Sequence, residues 1–214
     1  SYNEFCARFA FEETEDQAQA ITETLEDLNS EKPTDRLICG DVGFGKTEIA
    51  MRAAFVTAMD GMQVAIVVPT TLLAKQHYHN FKNRFAGFPV KVEQLSRFVS
   101  TKKAASVKEL INGGKVDIII GTHQLVNKNV KFADLGLLIV DEEQKFGVAV
   151  KDKLKSIKEN VDVLTLTATP IPRTLNMAIS GIRDLSIIAT PPARRLSIRT
   201  FVQEKQRHQV REAI

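Results

Sequence analysis

"RLICGDVGFGKTEIA", residues 36–50, runs from an apolar stretch through a glycine-rich turn into a helical pattern. Leu37, Ile38 and Cys39 read as a short buried strand, and Ile49, Ala53 and Val56 mark one face of the helix that follows. Between them, Gly40, Gly45, Lys46 and Thr47 fit the spacing G-x-x-x-x-G-K-[ST]. The spacing has a physical cause. Glycines let the backbone curl until its N–H groups point inward at phosphate oxygens, and the helix N-terminus adds partial positive charge. The stretch therefore predicts an ATP cradle made of Gly40, Asp41, Val42, Gly43, Phe44, Gly45, Lys46 and Thr47. Lys46 is expected to reach the β- and γ-phosphates, and the Thr47 hydroxyl to ligate Mg²⁺. A chance glycine-rich turn would not come with a strand before it and a helix after it.

Outward from that stretch, apolar runs recur at 63–69, 90–95, 116–121, 135–140 and 161–168, with helical periods over 14–29, 72–85 and 102–113. Continuous apolar runs suit parallel strands covered on both faces. Their alternation with helices predicts an α/β fold, a doubly wound and mostly parallel sheet. Hydrophobic residues make up 43% of the 214 positions and charged residues 26%, enough for a real core. The net charge of +3 permits a nucleic-acid partner without demanding one. Cys6 and Cys39 form no CxxC pair, which points to a reduced, cytoplasmic setting. His77 and His79 lack metal-ligand spacing and read as exposed helix residues. No run approaches the length of a membrane span, so no membrane partner is expected. The chain opens on Ser1 without a leader pattern and is expected to be a piece of a longer protein.

"LLIVDEEQKFG", residues 137–147, poses a second question, because four apolar residues run into three adjacent acids that repel one another. In nucleotide-binding α/β folds a second strand ends in an acid beside the phosphate cradle, at the carboxyl edge where ligands bind. Asp141 is expected to bind Mg²⁺ directly or through water. Glu142 is expected to orient the attacking water and help deprotonate it. The ion's charge would make the acid cluster tolerable.

With the cradle and the acids in place, further segments fall into a recognisable order. "DEEQ" (141–144) resembles the Walker B motif of superfamily 2 helicases, and "FEETEDQ" (11–17) resembles their adenine-reading segment. "PTTLLAKQH" (69–77), "GTHQL" (121–125) and "TATPIPRT" (167–174) resemble motifs Ia, Ib and III. Within that class "GDVGFGKTE", "DLGLLIVDEE" and "TATPIPRTLNMAISGIRDLSIIATPPARR" resemble the bacterial RecG-like translocases. The resemblance implies a RecA-like P-loop NTPase lobe over 1–195, with 196–214 as linker and start of a second RecA-like lobe. Pro191 and Pro192 support a boundary there. It implies ATP and Mg²⁺ as cofactors, double-stranded DNA as track, and a parent protein that displaces stalled RNA polymerase and recruits nucleotide-excision repair proteins. RecG-type action on branched DNA is the rival within the class, and a regulatory nucleotide-binding module with little hydrolysis is the rival outside it. The second lobe in cis would supply an arginine finger, worth about 10³ or more in rate. Residues 1–214 alone are therefore expected to bind nucleotide weakly and turn over little.

Several residues keep two readings. Gln17 suits the adenine edge because its amide both donates and accepts, yet Thr14-x-x-Gln17 is also a capping box. Phe11 stacks on the base or packs in the core. Thr70, Thr71, Thr122 and His123 follow strand ends and grip a DNA backbone, or the threonines simply cap helices. Arg97 is a further candidate phosphate contact. Thr167 and Thr169 link nucleotide state to DNA grip, or are turn residues before Pro170. Gln144 stands where the resembled proteins generally carry His; either side chain can hydrogen-bond from the metal site toward motif III. Arg173 stays open between a phosphate, interlobe or helix-surface role.

Overall fold

A computed structural model of the chain describes residues 1–97, 99–169 and 184–192. Seven strands form one sheet: β1 (Asp35–Gly40), β2 (Gln63–Val67), β3 (Val92–Leu95), β4 (Ile118–Gly121), β5 (Leu135–Asp141), β6 (Asp162–Thr167) and β7 (Asp184–Ile188). The order is β3-β4-β2-β5-β6-β1-β7, and every pairing among the described strands is parallel. The helices are α1 (Tyr2–Ala7), α2 (Glu15–Leu28), α3 (Lys46–Met59), α4 (Thr71–Arg84), α5 (Thr101–Asn112) and α6 (Val148–Lys158). Short 3₁₀ turns follow β4 and β5, at His123–Val126 and Glu143–Lys145. No helix among the described residues is long and apolar enough to cross a membrane.

The apolar runs are continuous because each strand is covered twice. Val64, Ile66, Ile118, Ile120, Leu137 and Ile139 point into a core shared with Ala20 and Ile21 of α2, Ile49, Ala53 and Phe55 of α3, and Ala74 and Phe81 of α4. Their neighbours Ala65, Val67, Ile119, Leu138, Val140 and Val163 point the other way, onto Val107 and Ile111 of α5 and Leu154 of α6. This is the expected doubly wound α/β sheet. Three elements went unread in the sequence: α1, α6 and β7. The first is one turn and a half, held by Phe5, which is fully buried and stacks on Phe55 at 4.3 Å between centroids. The expected second-lobe segment at 196–214 lies outside the described residues, as do Pro170 and Arg173.

At the edge of the sheet away from the cradle, one polar side chain closes three chain segments. Gln63 is 3% exposed, yet its carboxamide is saturated. Its Nε2 donates to the carbonyls of Ile111 and Val116, both at 3.0 Å, and its Oε1 accepts from the N–H groups of Ala133 (2.7 Å) and Asp134 (3.1 Å). Replacement by an apolar residue of similar size would leave the Val116 carbonyl without this buried bond and would remove the part-buried bonds to Ala133 and Asp134, while the Ile111 carbonyl keeps Gly114 N at 3.1 Å. Unsatisfied buried groups cost about 1–3 kcal/mol each. Gln63→Leu is therefore expected to destabilise the fold by about 1–3 kcal/mol, read as a lowered urea midpoint; a midpoint within error of wild type would remove Gln63 from this role.

Candidate nucleotide and metal site

The site lies at the carboxyl ends of β1, β5 and β6, which sit side by side in the sheet. Pairing aligns them in level: Cys39 is opposite Thr167, and Asp141 opposite Leu166. The cradle therefore begins beside the end of β6, and the acids begin on its other side.

The cradle turns on Gly43 (φ 80°) and Gly45 (φ 82°). Gly45 is also the N-cap of α3, and a Cβ there would overlap the Gln17 amide nitrogen. Gln17 Nε2 donates to the Phe44 carbonyl at 2.8 Å, while Gln17 Oε1 accepts from Thr14 N at 3.0 Å. The capping box of α2 is thus formed, and the same amide braces the phosphate loop. Lys46 donates from Nζ to the carbonyls of Gly40 and, at 3.0 Å, Asp41. Burial holds its ammonium below the usual lysine range, with Glu142 and Asp141 pulling the other way. Lys46 thus lies within the field of both acids.

The three adjacent carboxylates go to three different places. Asp141 Oδ2 faces His77 Nε2 at 3.1 Å. Glu142 Oε1 accepts from Ala168 N at 2.8 Å, and its other oxygen accepts from Gln144 Nε2. Glu143 Oε1 takes the Lys158 ammonium at 2.8 Å. Glu142 makes this divergence possible by adopting a left-handed backbone (φ 53°, ψ 53°), unique among the described non-glycine residues. That conformation costs about 1–2 kcal/mol for an L-residue. It is offset by the Glu142 N–H bond to the Leu166 carbonyl (2.8 Å) and by the side-chain bonds just named. Gln144 then reaches Thr169 Oγ1 at 3.2 Å, and Thr169 N donates to Thr167 Oγ1 at 3.2 Å. Thr169 also accepts through its carbonyl from the Cys39 thiol at 3.2 Å. The segment after β6 is thus bonded to both the acids and the cradle strand.

Residues 14–178 match the family profile described as DEAD/DEAH box helicase. The chain belongs to the DEAD/DEAH box helicase family. Along its whole length this helicase domain is 62% identical to the transcription-repair-coupling factor of Haemophilus influenzae and 61% identical to that of Escherichia coli. It spans 19% of the length of each. A structure of RecG bound to a three-way DNA junction superposes with a TM-score of 0.79 and 36% identity, over 90% of this chain and 26% of that one. The DEAD-box helicase Mss116, bound to single-stranded RNA and UDP-BeF, shares the fold at a TM-score of 0.65 and 19% identity, over 88% of this chain and 43% of that one. A helicase domain of this family binds nucleotide.

The structure brings Phe11, Gln17, Gly45 and Thr47 together around one cavity of about 750 Å³, with Phe9 and Met51 completing its apolar wall. Phe11 is 57% exposed and packs edge-on against Phe9, so it is not a core residue. Thr47 and Asp141 offer hard oxygen donors, and no described cluster of three or more His, Cys, Asp or Glu could hold a metal alone. Such a pair fits Mg²⁺, which takes most of its ligands from phosphate and water.

Around the other strand ends, Thr70 is the exposed N-cap of α4 and accepts from Leu73 N at 3.2 Å. Thr71 is half-buried in the first turn, and Arg97 and His123 are exposed. Thr122 is only 4% exposed, so the free surface of that turn belongs to His123. His77 corrects an expectation: it is no exposed helix residue, its side chain being 12% exposed against Asp141. The spacing Ala74, His77, Phe81 was the available signal, since it places His77 on the face of α4 that packs inward. Gly45→Ala combines a disfavoured φ with the overlap against Gln17. A stability loss of about 1–2 kcal/mol is expected, with a marked fall in affinity for a fluorescent ATP analogue; a variant that melts and binds as wild type would remove the glycine requirement.

Proposed function

We propose that this chain is the ATP-binding RecA-like lobe of a superfamily 2 ATPase that translocates on double-stranded DNA. The protein carrying it, in the bacterial cytoplasm, displaces stalled RNA polymerase and couples transcription to nucleotide-excision repair. One observation carries the reading: the identity of 61–62% to transcription-repair-coupling factors extends over 213 residues and so covers this whole chain. The 36% identity to RecG leaves the branched-DNA alternative less supported.

In this reading the N–H groups of residues 40–47 and the Lys46 ammonium bind the phosphates. Phe11 stacks on the base, and Gln17 reads its edge while bracing the loop. Thr47 and Asp141 hold Mg²⁺, which when bound polarises the terminal phosphoryl group. Glu142 orients the attacking water and takes its proton, because its left-handed backbone aims the carboxylate away from both neighbours. Gln144, Thr169 and Thr167 carry the state of that site along the end of β6. Thr70, Thr71, Arg97 and His123 grip the DNA backbone, with Thr122 contributing through its main chain. A second lobe in cis completes the site with an arginine finger.

Two substitutions in the intact protein carrying this chain test the assignment. Lys46→Ala should weaken binding of a fluorescent ATP analogue by about tenfold or more, since a charge-assisted phosphate contact is lost. Glu142→Gln should keep nucleotide binding but lose duplex-stimulated phosphate release by about 10²–10⁴-fold, together with removal of a stalled polymerase. Wild-type turnover in Glu142→Gln would take the base role from Glu142. Glu143 is a poor substitute, because it is committed to Lys158.

A further inference from the structure

The reach of α4 into the acid cluster has no place in the roles assigned so far. His77 lies on the inward face of α4, between Ala74, which is fully buried, and Phe81, which is 1% exposed. Its ring lies tilted against that of Phe81, 6.4 Å away. Nε2 stands 3.1 Å from Asp141 Oδ2, and the two side chains are 12% and 14% exposed. A carboxylate oxygen accepts, so Nε2 is the donor. Nδ1 on the far side of the ring is buried with no hydrogen-bond partner among the described residues.

That orphaned nitrogen is informative. An unpartnered buried polar atom costs about 1–3 kcal/mol, so packing alone would favour an apolar side chain here. What offsets the cost is the bond to Asp141. It engages Oδ2 and fixes the rotation of the carboxylate, while Oδ1 takes no part in it. An imidazole nitrogen is a poor ligand for Mg²⁺, which prefers oxygen. The arrangement instead matches a ligand-orienting contact, whose loss typically costs 10–100-fold in metal affinity.

We propose that His77 is a positioning residue that holds the Asp141 carboxylate in the orientation needed to receive the nucleotide-bound Mg²⁺. This rests on Asp141 being the metal acid, as proposed above. It gives α4 a second task, because the same helix starts at the exposed cap Thr70 and carries its first-turn contacts into the metal site through His77.

The test uses the intact protein carrying this chain. A fluorescent ATP analogue is titrated in EDTA and across a Mg²⁺ series, for wild type, His77→Leu and His77→Gln. Leucine keeps the packing and loses the donor; glutamine keeps an N–H within reach of Asp141. In His77→Leu the Mg²⁺ concentration for half-maximal enhancement of binding should rise about tenfold, with binding in EDTA unchanged, and His77→Gln should restore most of the loss. If the leucine variant fails to fold by thermal melting, His77→Asn, whose amide falls short of Asp141, takes its place. A wild-type Mg²⁺ response in the donor-less variant would overturn the proposal. So would an equal defect in both variants, which would mark His77 as packing. A wild type indifferent to Mg²⁺ would overturn the reading of Asp141 itself, and with it this one.

Discussion

Everything at the site depends on a sheet that is covered on both faces. Strand side chains alternate between two sealed layers, so chemistry can emerge only at the strand ends. Parallel pairing then aligns those ends on one edge. Since β6 lies between β1 and β5, the register that puts Cys39 level with Thr167 also puts Asp141 level with Leu166. Cradle, acids and the segment after β6 therefore meet without any long loop to bring them together. At the same edge, a Cβ on Gly121 would run into the Leu95 carbonyl, so the end of β4 has to be glycine for its neighbour strand to pass.

Charge is the second constraint. Two unit charges about 6 Å apart in a partly shielded setting interact by about 3 kcal/mol, so three consecutive acids facing one way would strain the edge. The left-handed turn at Glu142 sends them to His77, to Ala168 and Gln144, and to Lys158. A fourth acid, Glu48, follows Thr47 directly and would repel phosphate if it faced the cradle. It is 7% exposed and accepts instead from Arg52 and Arg84, both at 2.9 Å. Burial pushes its carboxyl up, while the two guanidinium groups pull it down. Glu48 still lines the cavity beside Thr47, with its carboxylate held by two guanidinium groups.

Fold class and cradle were legible because both rest on local patterns: apolar runs of strand length, and glycines at fixed spacing before a helix. What escaped the sequence rests on partners far along the chain. β7 reads as a strand only because β1 stands beside it, and α1 is too short for a period and is held by a single phenylalanine in the core. The two meanings of Gln17 were visible, but its third bond, to the Phe44 carbonyl, was not, because 27 residues separate them. His77 was misread for the same reason: its partner lies 64 residues on. Gln144 was read as reaching toward motif III only through the family resemblance, and it bonds Glu142 and Thr169, which follow the ends of the adjacent strands β5 and β6.

The helix α4 is the element where these constraints meet. Its N-terminus is the exposed cap Thr70, its middle touches Asp141 through His77, and near its end Arg84 binds Glu48, the neighbour of Thr47. Arg84 also lies over the Phe5 ring at 4.5 Å, which anchors the end of α4 to α1 and the core. A helix fixed at several points by short polar bonds moves as a body or not at all, because the packed layer beneath it does not deform continuously. A displacement at Thr70 would therefore be felt at both Asp141 and the first turn of α3. By linkage, two ligands that prefer the same position of α4, one at Thr70 and one beside Asp141, would raise each other's affinity by the same factor. Such a coupling would need no moving loop. It follows from placing one helix across the ends of strands that the sheet has already brought level.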